Sequence, residues 1–284
     1  MENSQNIQHD TFLLKNSHDD SIEGNIRFKN DGILKPAVVV LHGFKGFKDW
    51  GFSPAVCEQL AFKNAIVVNF NFSLNGVDIG EKDMSNNDTF SRNTISREIE
   101  DAKTVLKAFK NGELAPESNC FKNWNGEIFL MGHSRGGGVA ILTAAQSEDI
   151  SKLVVWKSVS TFDRYTERQK KAWRERGFIE MENARTKQMF TMNVSYLDDI
   201  EQNAKKLDVL KNFTLLKMPV KIIHGEQDVT VNVREAQKLA TANQNSILKI
   251  IPKTGHTFGA VHPFEGASPA LLQAINETCE FFNL

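Results

Sequence analysis

Short apolar runs rich in β-branched residues recur along the chain at 37–41, 65–70, 127–131, 153–156, 220–223 and 247–251, each bounded by turn formers. Runs of this length that do not alternate with polar residues predict strands buried on both faces. The stretches 53–63, 94–110, 136–146, 233–242 and 269–282 carry apolar residues at helical period. Strand then helix, repeated, predicts an α/β fold with a mostly parallel, twisted sheet covered by helices on both faces. Ahead of the first run, 11–14 and 22–28 predict an antiparallel hairpin at the sheet edge.

The rhythm breaks between 157 and 216, where about sixty mostly polar residues replace one crossover helix, with helical patches over 163–176 and 200–210. An unstructured loop of that length is rare in a compact domain. The expectation is therefore one domain over 1–284 carrying an inserted cap at approximately 157–216.

With 40% hydrophobic residues and seven prolines the chain has the material for a packed core. A formal net charge of −1 gives no concentrated cationic field, so neither nucleic acid nor an anionic membrane is expected as a partner. Cys57, Cys120 and Cys279 are odd in number and far apart, which argues against a disulfide framework or a metal site. The first residues lack a cationic start followed by an apolar core, and no stretch approaches the roughly 18 apolar residues of a membrane span. These features point to the cytoplasm.

Gly132-His133-Ser134-Arg135-Gly136 lies between a predicted strand and a predicted helix. In that context G-x-S-x-G describes a serine on a sharp turn, with its oxygen exposed above the sheet and flanking glycines relieving collisions. A glycine-rich turn with an incidental serine is the competing reading. A nucleophilic serine needs a base, and the base needs an orienting carboxylate. Asp228 follows the run 220–223 and His256 follows 247–251, so both stand just beyond strand ends, where such sheets gather their reactive groups. The order Ser134, Asp228, His256 makes these the candidate catalytic residues. Glu226 competes for the acid but stands closer to its strand, with less reach. His224 and His262 compete for the base, and His133 is expected to turn away into packing.

His42-Gly43-Phe44-Lys45-Gly46 follows the first buried run and suits an oxyanion hole made by the backbone N–H groups of Phe44 and Arg135. Their side chains are then free to shape a pocket or lie on the surface. Trp156, Phe162, Tyr165 and Trp173, at the end of the 153–156 run and in the inserted stretch, are the candidate substrate pocket.

Through His42-Gly43-Phe44, the Ser134 elbow with Gly137, the segment 224–228 and Gly255-His256, nearly the whole chain outside the cap resembles the α/β-hydrolases of the dienelactone hydrolase, cinnamoyl or feruloyl esterase and prolyl oligopeptidase-like group. The resemblance implies an α/β-hydrolase fold and a serine hydrolase that forms an acyl-enzyme, requires no cofactor and acts on a small-molecule ester. Dienelactone hydrolases commonly use cysteine where this chain has Ser134, which moves it toward the esterases. Acyl-peptide hydrolases, thioesterases and acyltransferases use the same machinery.

Overall fold

A computed structural model of the chain describes residues 7–183 and 187–284. Eight strands form one sheet: β1 (Ile7–Lys15), β2 (Ser21–Lys29), β3 (Lys35–Leu41), β4 (Ile66–Phe70), β5 (Trp124–His133), β6 (Ile150–Trp156), β9 (Val220–Gly225) and β10 (Ser246–Ile251). Their spatial order is β1-β2-β4-β3-β5-β6-β9-β10. β1 and β2 make the expected edge hairpin and β2 meets β4 antiparallel, while every pairing from β4 to β10 is parallel.

Successive strand residues face opposite sides, and both sides are buried. On one side Val38, Val67, Phe129, Val154 and Ile223 pack with α1 (Ser53–Phe62) and α9 (Pro269–Phe282). On the other, Val39, Val68, Leu130, Val155 and Ile222 pack with α3 (Ile95–Lys110), α4 (Arg135–Ala145) and α8 (Val233–Ala242). Three of these helices begin at a side-chain cap. Thr94, Asn232 and Ser268 accept main-chain N–H groups at the starts of α3, α8 and α9, and Pro269 stands at the first position of α9.

The short helix α2 (Asn87–Ser91) lies between β4 and α3. The stretch 157–216 holds α5 (Glu167–Arg176), a hairpin of β7 (Phe178–Glu182) and β8 (Met189–Asn193), then α6 (Val194–Gln202) and α7 (Val209–Thr214). The hairpin was not foreseen, and three residues of the expected cap, 184–186, lie outside the described residues. Among the described residues no helix is long and apolar enough to cross a membrane.

Candidate active site

The turn from β5 into α4 places Ser134 at φ 57° and ψ −120°, a left-handed backbone that L-residues avoid unless their surroundings enforce it. The enforcement is visible on both sides. Ser134 N–H donates to the Trp156 carbonyl at 2.8 Å, and its own carbonyl accepts from Gly137 at 3.0 Å. A Cβ on Gly132 would stand 2.3 Å from the Gly136 carbonyl oxygen, and one on Gly136 would stand 2.3 Å from the His42 carbonyl oxygen. Only glycine fits at either position.

His256, in the loop after β10, brings Nε2 to 3.0 Å from Ser134 Oγ and Nδ1 to 2.7 Å from Asp228 Oδ2. The carboxylate requires Nδ1 to carry the proton, which leaves Nε2 as acceptor for the serine hydroxyl. Asp228 is buried, and its Oδ1 accepts the N–H groups of Thr230 and Val231 at 2.9 Å each. Burial pushes its carboxyl upward, but the His256 and main-chain hydrogen bonds outweigh that and hold it below the ordinary carboxylate value. The structure thus brings the three candidate catalytic residues into one hydrogen-bonded chain.

The competitors are placed elsewhere. Glu226 is exposed and accepts the Lys253 N–H at 3.2 Å. His224 is fully buried with Nε2 donating to the Val231 carbonyl at 2.8 Å, and burial holds it below its usual value. His262 accepts the Gly51 N–H at 2.8 Å and stacks on Trp50. His133 donates from Nε2 to the His256 carbonyl at 3.1 Å and packs edge-on against Phe52. Burial first, then repulsion from His256, keeps His133 neutral.

The loop after β3 lies against the elbow: a Cβ on Gly43 would meet Ser134 Cβ at 3.1 Å. His42 shapes this loop. Its Nε2 accepts the Phe72 N–H at 3.2 Å, so Nδ1 carries the proton and donates to the Gly43 carbonyl at 2.9 Å. Burial lowers His42 to about 4, which keeps that tautomer at neutral pH. Among the described residues the Phe44 N–H has no hydrogen-bond acceptor, and the Arg135 N–H belongs to the first turn of α4, where amides lack helical partners. The Arg135 side chain departs from expectation. It is buried, pairs with buried Glu98 and stacks 4.3 Å from the Phe44 ring.

A cavity of about 480 Å³ opens beside Ser134 and His256. Its apolar wall comes from Phe44, Phe47, Trp50, Phe52, Met84, Met131 and Val261, and Lys45, Asp83 and Asn183 add polar groups. None of the four residues expected in the pocket lines it. Strand alternation turns Trp156 to the α1/α9 side, where it packs on Phe52 and Phe258 and donates to Thr278 Oγ1 at 3.0 Å. Phe162 packs over Gly138 at the start of α4. Trp173 is fully buried, stacks on Tyr196 and donates to the Met192 carbonyl at 3.1 Å, and Tyr165 packs edge-on against it. These aromatics bind the inserted stretch to the core. The sequence signal for this wall is the aromatic content of the loop 42–52.

Residues 80–265 match the model of Peptidase_S9, the prolyl oligopeptidase family. No curated protein matches the chain. Among solved structures, Est1E from Butyrivibrio proteoclasticus with ferulic acid bound is similar at a TM-score of 0.66 and 17% identity, over 98% of this chain and 95% of that one. A putative hydrolase from Agrobacterium vitis S4 gives 0.70 at 17% identity over 97% and 98%. The acylaminoacyl peptidase of Pyrococcus horikoshii gives 0.65 at 16% identity, covering 98% of this chain and 42% of that one. Likeness at these identities is one of fold. The family match, however, spans the elbow at 134 and the loops at 228 and 256, and with the parallel sheet beneath them it makes this chain a member of the prolyl oligopeptidase family of α/β-hydrolases.

Proposed function

We propose that the protein is a serine carboxylesterase acting through Ser134, His256 and Asp228. The observation that carries this reading is the hydrogen-bonded chain from Asp228 through His256 to Ser134 Oγ, at 2.7 and 3.0 Å, ending at an apolar cavity. His256 Nε2 takes the serine proton as Oγ attacks the ester carbonyl. The N–H groups of Phe44 and Arg135 receive the oxyanion, and Asp228 stabilises the imidazolium. Collapse returns the proton to the leaving alcohol, and water repeats the cycle on the acyl-enzyme.

The cavity's aromatic wall and volume suit an apolar or aromatic acyl group, in keeping with the ferulic acid bound by Est1E. We read 157–216 as a cap that, among the described residues, reaches the cavity at the hairpin end, through Asn183. The cytoplasm remains the proposed compartment, supported by Cys57, Cys120 and Cys279 all being buried free thiols.

The peptidase members of the family supply the second reading, cleavage of acylaminoacyl amides on the same machinery. A fluorophosphonate probe should label the native chain and not Ser134→Ala, whose kcat should fall by roughly 10⁴-fold or more. Equal labelling of both removes the nucleophile. Feruloyl and other aromatic esters should be hydrolysed with higher kcat/KM than acylaminoacyl anilides, and the opposite ranking selects the peptidase.

A further inference from the structure

Lys157 follows β6 directly and is a charged residue with no exposed surface. Its backbone is left-handed, with φ 49°, and its N–H donates to the Ile223 carbonyl at 2.8 Å. This turns the side chain under the loops that carry the acid and the base. Nζ donates to the carbonyl of Gly255, the residue before His256, and lies 3.2 Å from the centre of the Phe258 ring. Room for the stem depends on Gly225, whose Cβ would stand 3.1 Å from Lys157 Cε. The preceding residue, Trp156, holds the Ser134 N–H through its carbonyl. Two consecutive residues therefore tether the nucleophile elbow and the histidine loop to the same strand end.

We propose that Lys157 is a positioning residue that holds the His256 loop, and with it the base, through the Gly255 carbonyl. The proposal rests on the triad reading above. The ionisable groups around the ammonium come from each neighbouring element: His133 from β5, His224 from β9, Asp228 from the loop after β9 and His256 from the loop after β10. Asp228 attracts it, and it repels protonation of His133 and His224. Burial lowers the Lys157 amine to about 7, against the pull of Asp228.

Two variants separate the charge from the tether. Lys157→Gln removes the cation and keeps a donor for the Gly255 carbonyl, whereas Lys157→Met removes both. For an aromatic ester the Gln variant should keep kcat within roughly three-fold while the Met variant falls by about ten-fold, the size of one lost oriented hydrogen bond. KM should hold in both, because Lys157 does not line the cavity. A folded Met variant with native kcat, or a folded Gln variant that falls as far as the Met variant, overturns the proposal.

The native chain gives a readout independent of catalysis. Its ¹⁵Nζ spectrum should show the Lys157 ammonium protected from solvent exchange by its buried hydrogen bond, and exchange of that ammonium at the solvent-exposed rate overturns the proposal even if neither variant folds. Absence of fluorophosphonate labelling at Ser134, by contrast, would strike the triad reading and leave the protected ammonium standing.

Discussion

Replacing Asp228 by asparagine changes one atom and should remove most of the activity, for a reason set by its surroundings. Oδ1 receives two main-chain N–H groups at 2.9 Å each, and Oδ2 receives one proton from His256 at 2.7 Å. Asparagine has a single carbonyl oxygen. Facing its NH2 toward Thr230 and Val231 would leave two buried donors without acceptors, at about 1–3 kcal/mol each. The oxygen therefore takes the Oδ1 position, and the NH2 faces His256 Nδ1. The ring must then accept at Nδ1 and carry its proton on Nε2, aimed at Ser134 Oγ, so the base is already occupied. The expected loss in kcat is about 10⁴-fold with KM nearly unchanged, the consequence of a wrong tautomer in a triad of this geometry. Thermal unfolding should shift little, because both main-chain donors stay satisfied. Asp228→Ala, which leaves His256 free to take either tautomer, should retain more activity than the asparagine variant. Glu226→Gln should be indistinguishable from the native chain. Steady-state hydrolysis of an aromatic ester, with melting curves for each variant, decides the matter. An asparagine variant within ten-fold of native kcat, or an alanine variant below it, would refute the reasoning.

Two further outcomes follow from the packing. Gly136→Ala drives a methyl between main-chain carbonyls, 2.3 Å from that of His42 and 2.7 Å from that of Leu41, so it should destabilise by at least about 1–3 kcal/mol and lower ester turnover as α4 backs away from the loop after β3; an unchanged melting temperature would contradict this. Asp101 is buried, accepts from Asn16 Nδ2 and Ser73 N–H, and is pushed up by burial from 3.8 to about 6. The folded chain thus binds this proton more tightly than the unfolded chain, and the Asp101 contribution to stability falls as pH rises across that window, by up to ~3 kcal/mol. Denaturant midpoints measured at both ends of the window should fall more steeply with pH for the native chain than for Asp101→Asn, and equal slopes would exclude the effect.

The sheet was legible because its central strands, such as β4 and β9, are buried on both faces, so composition alone marks them, and 233–242 and 269–282 coincide with α8 and α9. Ser134, Asp228 and His256 were legible because a parallel sheet delivers its loops to one edge, whatever their distance in sequence. The cavity wall was not. An aromatic residue reads the same whether it faces ligand or core, and Trp173 and Trp156 are core by virtue of Tyr196 and Thr278, partners that no local pattern names. Lys157 and Arg135 were obscure for a related reason. A lysine or arginine in sequence suggests solvent, and only the fold shows the carbonyl, ring or carboxylate that keeps each inside. The hairpin β7–β8 is hard to read because its alternation, Ile179 and Met181 against Glu180 and Glu182, then Phe190 and Met192 against Thr191 and Asn193, lasts only two periods in each strand of a largely polar stretch.

Arg135 links two things that are separate in sequence. Its main chain opens α4 beside Ser134, and its guanidinium, held by Glu98 and flanked by Tyr196, supports the ring of Phe44. A lone change at 98 would strand a buried cation, and a lone change at 135 would strand a buried carboxylate, each costing on the order of 3–5 kcal/mol. Neutral drift at either position is therefore blocked, and lineages diverging from this chain should exchange the two residues together or keep both, with the residue at 44 changing size in step.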